Sequence, residues 1–277
     1  MKIDETINYV EAYLTLRCNL NCSYCINDNK TVKRKRNEMS GDEWIAQLNK
    51  VDFRDISLTL GGGEPTIHKD FYKILNGLKD DIKVDLLTNL QFDVDEFIKN
   101  TTPERFTDKD NPAYKSIRVS YHPSQMEPNE LAAKAEKLQN AGYRIGIFGL
   151  TSPELGAQNN QMEEITRLKK LFFYPKEFMG EQDGQLYGTY KYPEGLSGKL
   201  ENVVCKSKEL LIAPDGLIYK CHRDLYKDEF ATGMLKHNLP KPQYRKCSNF
   251  GDCNYCDIKL KMNHFLDGLD CQVDIKK

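Results

Sequence analysis

The sequence predicts an α/β fold: a parallel sheet built from about six strand–helix units over residues 1 to about 180, followed by a smaller cysteine-rich extension. Three observations predict it. Apolar runs of strand length alternate with helical segments at the spacing of right-handed βαβ units. The alternation stops near residue 180. The nine cysteines divide sharply, with three between 18 and 25, none from 26 to 204, and six from 205 to 271. At 277 residues and 39% hydrophobic content, the chain can bury one large core, or a main domain of roughly 200 residues with an appendage.

Taken in order, YVEAYLTLR (9–17) alternates as a strand that delivers the chain into the first cysteine group. Ser40-Gly41-Asp42-Glu43 is a capping box, opening a helix that carries Trp44, Ile45 and Leu48. DISLTL (55–60) is an apolar strand ending in Gly61-Gly62-Gly63-Glu64-Pro65. Then come a helix at 69–79, a strand at 83–88, a helix near 93–100 and a strand at 116–121. Helix 128–141 has Pro128 in its first turn and Gly142 just past its end, and strand 143–150 follows. A helix near 160–169 and a strand at 171–175 complete the series, in either an open sheet or a curved partial barrel.

Residues 180–200 carry Gly, Tyr and Lys without a period and read as a long loop. Beyond them, KELLIAP-DG-LIYKCH (208–222) is a hairpin signal, because Pro214 presets φ and Gly216 accepts a positive one. The expected domains are therefore 1–180, a connection at 181–204, and an extension at 205–277.

Bulk properties exclude several classes. The first residues are polar and acidic where a secretory signal needs apolar ones, and no stretch reaches the ~18 apolar residues of a membrane span, so the cytoplasm is the expected compartment. Lys plus Arg (40) balance Asp plus Glu (41), which argues against sequence-independent nucleic-acid binding. Nine cysteines in a reducing compartment point to metal ligation or catalysis rather than structural disulfides.

Cys18, Cys22 and Cys25 place three thiolates on one short loop, enough for three corners of a cubane cluster with the fourth iron left without a protein ligand. Structural zinc sites close four ligands instead. The triplet resembles the signature of the radical S-adenosylmethionine (radical SAM) superfamily, including the aromatic Tyr24 before its last cysteine. Gly62-Gly63-Glu64-Pro65 at a strand end resembles the family segment that approaches the methionine amino group of the cofactor; glycines allow close approach, and a carboxylate accepts from an ammonium. By itself that segment also reads as a glycine-rich βα turn.

The same resemblance marks Thr88, Asn89 and Ser120, at the ends of the third and fourth strands, as contacts to the cofactor's ribose and carboxylate, where parallel α/β sheets place their ligands. His122 is either a proton donor or acceptor or an ordinary hydrogen-bonded loop histidine. The implied fold is a partial (β/α)6 TIM-like barrel. The implied cofactors are a 4Fe-4S cluster and S-adenosylmethionine, whose reductive cleavage yields a 5′-deoxyadenosyl radical.

Cys205-x10-Gly216-x4-Cys221, then Cys247, Cys253, Cys256 and Cys271, resembles the Twitch and SPASM extensions that hold auxiliary iron–sulfur clusters. Six cysteines are too few for two four-cysteine clusters, so one auxiliary cluster, of 4Fe-4S type, is expected on Cys205, Cys221, Cys253 and Cys256, with Cys247 and Cys271 spare or substituting. A zinc-knuckle is the alternative.

The basic run Lys33-Arg34-Lys35-Arg36 is a solvated loop, or a contact for a phosphate-bearing substrate or an electron donor such as flavodoxin or ferredoxin. Phe172, Phe173 and Tyr174 read as strand core, and Tyr187, Tyr190 and Tyr192 as candidate substrate or adenine contacts. Three functions follow: oxidation or rearrangement of a small molecule; modification of a peptide, against which the few residues before residue 9 leave no room for a leader-binding domain; and a metal-stabilised binding module without turnover.

Overall fold

The computed structural model describes residues 1–26, 37–109, 111–152, 154–237, 239–253, 255–256 and 273–277. Six strands form consecutive parallel pairs: β1 (Tyr9–Thr15), β2 (Leu58–Gly62), β3 (Val84–Thr88), β4 (Ile117–Tyr121), β5 (Ile145–Thr151) and β6 (Phe172–Glu177). The helices between them are α1 (Gly41–Leu48), α2 (Phe71–Gly77), α3 (Val94–Asn100), α4 (Pro128–Asn140) and α5 (Gly156–Leu168). This is the mixed α/β, six-stranded parallel arrangement of a partial TIM-like barrel, with strand boundaries within three residues of those expected.

Local chemistry sets the helix starts. Ser40 and Glu43 form the reciprocal capping box, and Pro128 occupies the first turn of α4, where a missing N–H costs nothing. Gly142, just beyond α4, has φ +93°, a conformation that a side chain would strain.

Strand alternation divides the sheet into two unlike faces. Val10, Ala12 and Leu14 of β1, with Leu58, Leu60, Val84, Leu86, Ile117 and Val119, pack against Trp44, Ile74, Leu75, Phe97 and Leu138 of the helices. The other face holds polar groups: Glu11, Thr59, Asp85 and Arg118 are all buried. Arg118 and Asp85 form a buried ion pair at 3.0 Å. Tyr9 and Arg118, on strands three apart, line one cavity, which requires the sheet to curve around this polar face.

The extension is joined to the sheet. β9 (Glu201–Ser207) leads into β10 (Glu209–Ile212), which pairs in parallel with β1; β11 (Leu217–Tyr219) and, after the short helix α6 (His222–Lys227), β12 (Gly233–Met234) continue the same nine-stranded sheet. The Pro214-Asp215-Gly216 hairpin forms, with Gly216 at φ +80°. A separate three-stranded sheet places β9 between β13 (Arg245–Phe250) and β14 (Val273–Lys276).

Residues 180–200 depart from the expected loop. They contain an antiparallel hairpin, β7 (Gly180–Gln182) with β8 (Gln185–Tyr187). Asp183 and Gly184 both have positive φ, the two-residue turn that matches strand twist. The strands are three residues each, too short for periodicity to register. Among the described residues, no helix is long and apolar enough to cross a membrane.

Candidate functional site

The C-terminal ends of β1 to β4 converge on the first cysteine group. β1 runs into Arg17 and Cys18, and the end of β2 is bonded directly to that chain: Gly63 N donates to Thr15 O at 2.9 Å, and Glu64 N to Arg17 O at 2.8 Å. The glycines make this possible. A Cβ on Gly62, whose φ is +137°, would stand 2.1 Å from Thr15 O, and one on Gly63 would stand 2.1 Å from Arg17 O. What they approach is therefore the backbone carrying Cys18. From the other side, Glu38 holds Arg17 with both carboxylate oxygens, at 3.1 and 3.0 Å, and accepts from the Thr15 hydroxyl.

Glu64 is 1% exposed and turned inward. Its Oε1 accepts from Thr66 N, the Thr66 hydroxyl and the Thr88 hydroxyl at 3.1, 2.6 and 2.9 Å; its Oε2 accepts from Asn89 N at 2.6 Å. Burial raises its pKa while these four donors lower it. The carboxylate thus locks the end of β2 to the end of β3, and Pro65 opens the short 3₁₀ turn that follows. Asn89 reaches on to the cysteine loop, donating from Nδ2 to Asn19 Oδ1 at 2.6 Å and lying 3.8 Å from Cys18 Sγ. Ser120 is half-buried near the end of β4, paired in register with Phe148.

Cys18, Cys22 and Cys25 are each half-buried on this loop. Burial pushes the Cys22 thiol up to about 11, and negative charge on Cys25 and Cys18 adds to the effect. Burial likewise raises Cys18. Burial thus favours the protonated form of Cys18 and Cys22 until a cation joins them, which is the behaviour of metal-ligating thiols. The sulfurs also meet N–H donors, as cluster ligands do: Leu20 N to Cys18 Sγ at 3.4 Å, and Gln125 Nε2 to Cys22 Sγ at 3.2 Å. Three charge-coupled thiols on one loop, two of them met by N–H donors, fit an iron–sulfur cluster with one open corner. Among the described residues, no group of three or more His, Cys, Asp and Glu side chains forms a ready-made metal cage.

The loop after β4 grips the cysteine loop. Gln125 Oε1 accepts from Asn21 N at 2.8 Å, and the Tyr24 hydroxyl meets His122 Nδ1 at 3.1 Å with the two rings stacked. Burial lowers the His122 pKa to about 4, so this imidazole is neutral. His122 is thus a hydrogen-bonded loop histidine that positions Tyr24. Sequence reasoning missed Gln125; its only signal is its place in the segment His122–Met126, directly after a strand end.

The second cysteine group lies where β9, β11, α6 and β13 meet. Cys205 and Cys247 share a face of the β9–β13 ladder and are hydrogen-bonded to each other, which raises the Cys205 pKa and lowers that of Cys247. Charge interactions also link Cys221 to Cys205 and Cys256, and Cys253 to Cys247. Lys220 places Nζ 3.4 Å from Cys205 Sγ; burial opposes its charge, but Cys205 and Asp224 beside it raise its pKa. His222, next to Cys221, stands 3.4 Å from both Glu11 of β1 and Glu209 of β10, bracing the cysteine hairpin against the barrel.

Cys271 and the Lys33–Arg36 run lie outside the described residues. Phe172, Phe173 and Tyr174 form the half-buried edge strand β6. Tyr187 belongs to β8, the Tyr190 hydroxyl donates to Tyr187 O at 2.8 Å, and the Tyr192 hydroxyl donates to Val273 O at 2.7 Å, fastening the connection to β14.

Residues 13–107 match the family model described as the radical SAM superfamily. The "Probable GTP 3′,8-cyclase" of Halobacterium salinarum is 33% identical over 92 residues, 31% of this chain and 26% of that protein. The "Molybdenum cofactor biosynthesis protein 1" of Drosophila melanogaster is 35% identical over 75 residues, 26% of this chain and 13% of that protein. The matches thus span about a quarter or less of these relatives. Among solved structures, native anSMEcpe with bound AdoMet aligns with a TM-score of 0.57 at 15% identity, covering 83% of this chain and 78% of that one. Streptococcus suis SuiB bound to the precursor peptide SuiA aligns with a TM-score of 0.57 at 15% identity, covering 84% and 63%. At that identity the structural likeness speaks for the fold. The cysteine loop, the glycine-rich end of β2 and the strands β1 to β3 that support them lie within the stretch of this chain that is similar to the radical SAM superfamily.

Proposed function

We propose that Cys18, Cys22 and Cys25 hold the 4Fe-4S cluster at which S-adenosylmethionine is reductively cleaved. The observation that carries this reading is the bonding of Gly63 and Glu64 to the backbone entering Cys18, which brings the cysteine loop and the glycine-rich strand end to one place. When bound there, the cluster and S-adenosylmethionine would supply one-electron reductive cleavage of a C–S bond, the chemistry that begins hydrogen abstraction from a substrate.

The chain's residues do the rest. Leu20 N, Asn89 and Gln125 direct N–H groups at the cysteine sulfurs, and the His122–Tyr24 contact fixes an aromatic ring between Cys22 and Cys25. The strand-end groups Gly62, Gly63, Glu64, Pro65, Thr88, Asn89 and Ser120 form the wall against which the cofactor's methionine and ribose would lie. Glu64 acts mainly by holding that wall, since four donors already engage it.

In the second group, Cys205, Cys221, Cys253 and Cys256 serve as ligands of one auxiliary cluster, with Cys247 the reserve thiol bonded to Cys205. The domain division is a core to residue 180, a connection to 204 and the cysteine extension beyond. A cluster beside the active site favours oxidation, cross-linking or dehydrogenation, with a cytoplasmic flavodoxin or ferredoxin as electron donor. The substrate is a small molecule in the first reading. A peptide is the second, and what supports it is the shared fold with SuiB, which is bound to a precursor peptide.

Anaerobically reconstituted protein given dithionite and S-adenosylmethionine should form 5′-deoxyadenosine, and Cys22→Ala should form none. No nucleoside from the wild type, together with tightly held zinc, would establish the metal-stabilised binding module instead.

A further inference from the structure

The cysteine loop occupies the C-terminal ends of the strands. At their opposite ends, where β1 to β4 begin, lies a cavity of about 310 Å³ whose walls include Tyr9, Thr59, Asp85, Lys109, Tyr114 and Arg118. Nothing in the cofactor chemistry uses this space. Arg118 is 5% exposed, and its Nη1 donates to Asp85 Oδ2 at 3.0 Å. The Tyr114 hydroxyl donates to the same Asp85 oxygen. The other edge of the guanidinium is unmatched: Nε and Nη2 have no hydrogen-bond partner.

A buried donor without a partner is uncommon, and a guanidinium cannot relieve the deficit by losing its proton. Nε–H and Nη2–H are parallel donors on one side of a planar group, the fork that takes both oxygens of a carboxylate. The unmatched acceptors are as telling. Asp85 Oδ1 and Asn8 Oδ1, both of the same cavity, also lack partners, as does Arg54 Nε. Formal charge is balanced, with Arg54, Lys109 and Arg118 against Glu5, Asp55 and Asp85, so a multivalent anion has no surplus positive field to meet. Paired donors beside paired acceptors call for a ligand that carries a carboxylate and a hydrogen-bond donor together.

We propose that this cavity is a second binding site, distinct from the strand-end site, for a small amphoteric carboxylate of the free amino acid class. The carboxylate lies on the Nε–Nη2 edge of Arg118, and the ammonium is received by Asp85 Oδ1 and Asn8 Oδ1. Its occupancy stabilises the start of the sheet rather than altering the chemistry at the other end.

The test is thermal unfolding of the anaerobically reconstituted protein with S-adenosylmethionine at saturation, so that the methionine-binding groups are already filled. Glycine, L-glutamate and acetate are titrated against sodium chloride of equal ionic strength. The expected result is a saturable rise in Tm with glycine or L-glutamate, at a half-saturating concentration at least tenfold below that of acetate. Arg118→Lys keeps a cation beside Asp85 but loses the fork, and should raise that concentration tenfold or more. Ile56→Trp enlarges a wall residue that is not part of the Arg118–Asp85 pair and should abolish the response; it decides the matter if the arginine variant fails to fold. No rise beyond the chloride control, acetate matching glycine, or an unchanged response in Ile56→Trp overturns the proposal.

Discussion

The two cysteine groups bring thiols together by different means. The N-terminal triplet sits on a loop, positioned by backbone bonds to β2 and by side chains from β3 and the loop after β4, and its sulfurs face neutral donors: an amide N–H, Asn89 and Gln125. In the C-terminal group, Cys205 and Cys247 stand diagonal on a ladder, and Cys205 Sγ also meets the ammonium of Lys220 at 3.4 Å. A loop can leave a ligand position open and admit a large cofactor beside it. A sheet with a fixed cation suits a closed, electrostatically tuned site. Under the proposed function, the contrast suits cofactor cleavage at the first and electron storage at the second.

The largest expected effect comes from Cys22→Ala, which should abolish 5′-deoxyadenosine formation while leaving the C-terminal iron content unchanged. Loss of both irons together would show one cooperative metal unit and break the comparison. Lys220→Met removes a charged donor, a contact worth ~1.5–3 kcal/mol, and should lower the auxiliary reduction potential by about 65–130 mV for one electron, read by EPR-monitored titration.

The next effect depends on His122, whose folded pKa is depressed to about 4 by burial. The unfolded imidazole takes its proton near 6.5, so stability is flat above that pH and falls by ~1.4 kcal/mol per unit between there and about 4. Urea midpoints of wild type should drop from pH 7 to pH 5 more steeply than those of His122→Gln. Smallest is Gln125→Leu, which removes a neutral donor from Cys22 at ~0.5–1.5 kcal/mol and should lower the N-terminal cluster potential by about 20–65 mV. A shift equal to that of Lys220→Met would erase the distinction between neutral and charged donors.

The barrel strands were legible because each shows an apolar run with a clear end, and the capping box and Pro128 mark helix starts by local hydrogen-bond chemistry. The β7–β8 hairpin was not, since three-residue strands carry no period. The candidate cluster ligands were legible as spacing within a single loop. Gln125 and His122 were not assigned to that loop because they lie about a hundred residues away from it in sequence, and only the pairing of β4 into the sheet brings them there. Cys247 shows the same limit: spacing left it either spare or a substitute ligand, and only the β9–β13 register places it against Cys205.

By itself the sequence determined what local chemistry can encode: the order of strands and helices, their caps, and thiols close enough along the chain to share a loop. Tertiary structure alone decided which distant side chains face those thiols, that β10 fuses the cysteine extension to β1, and that Arg118 and Asp85 meet beneath the barrel. The physical reason is that hydrogen bonds and ion pairs between strands depend on register and curvature, which no short window of residues contains.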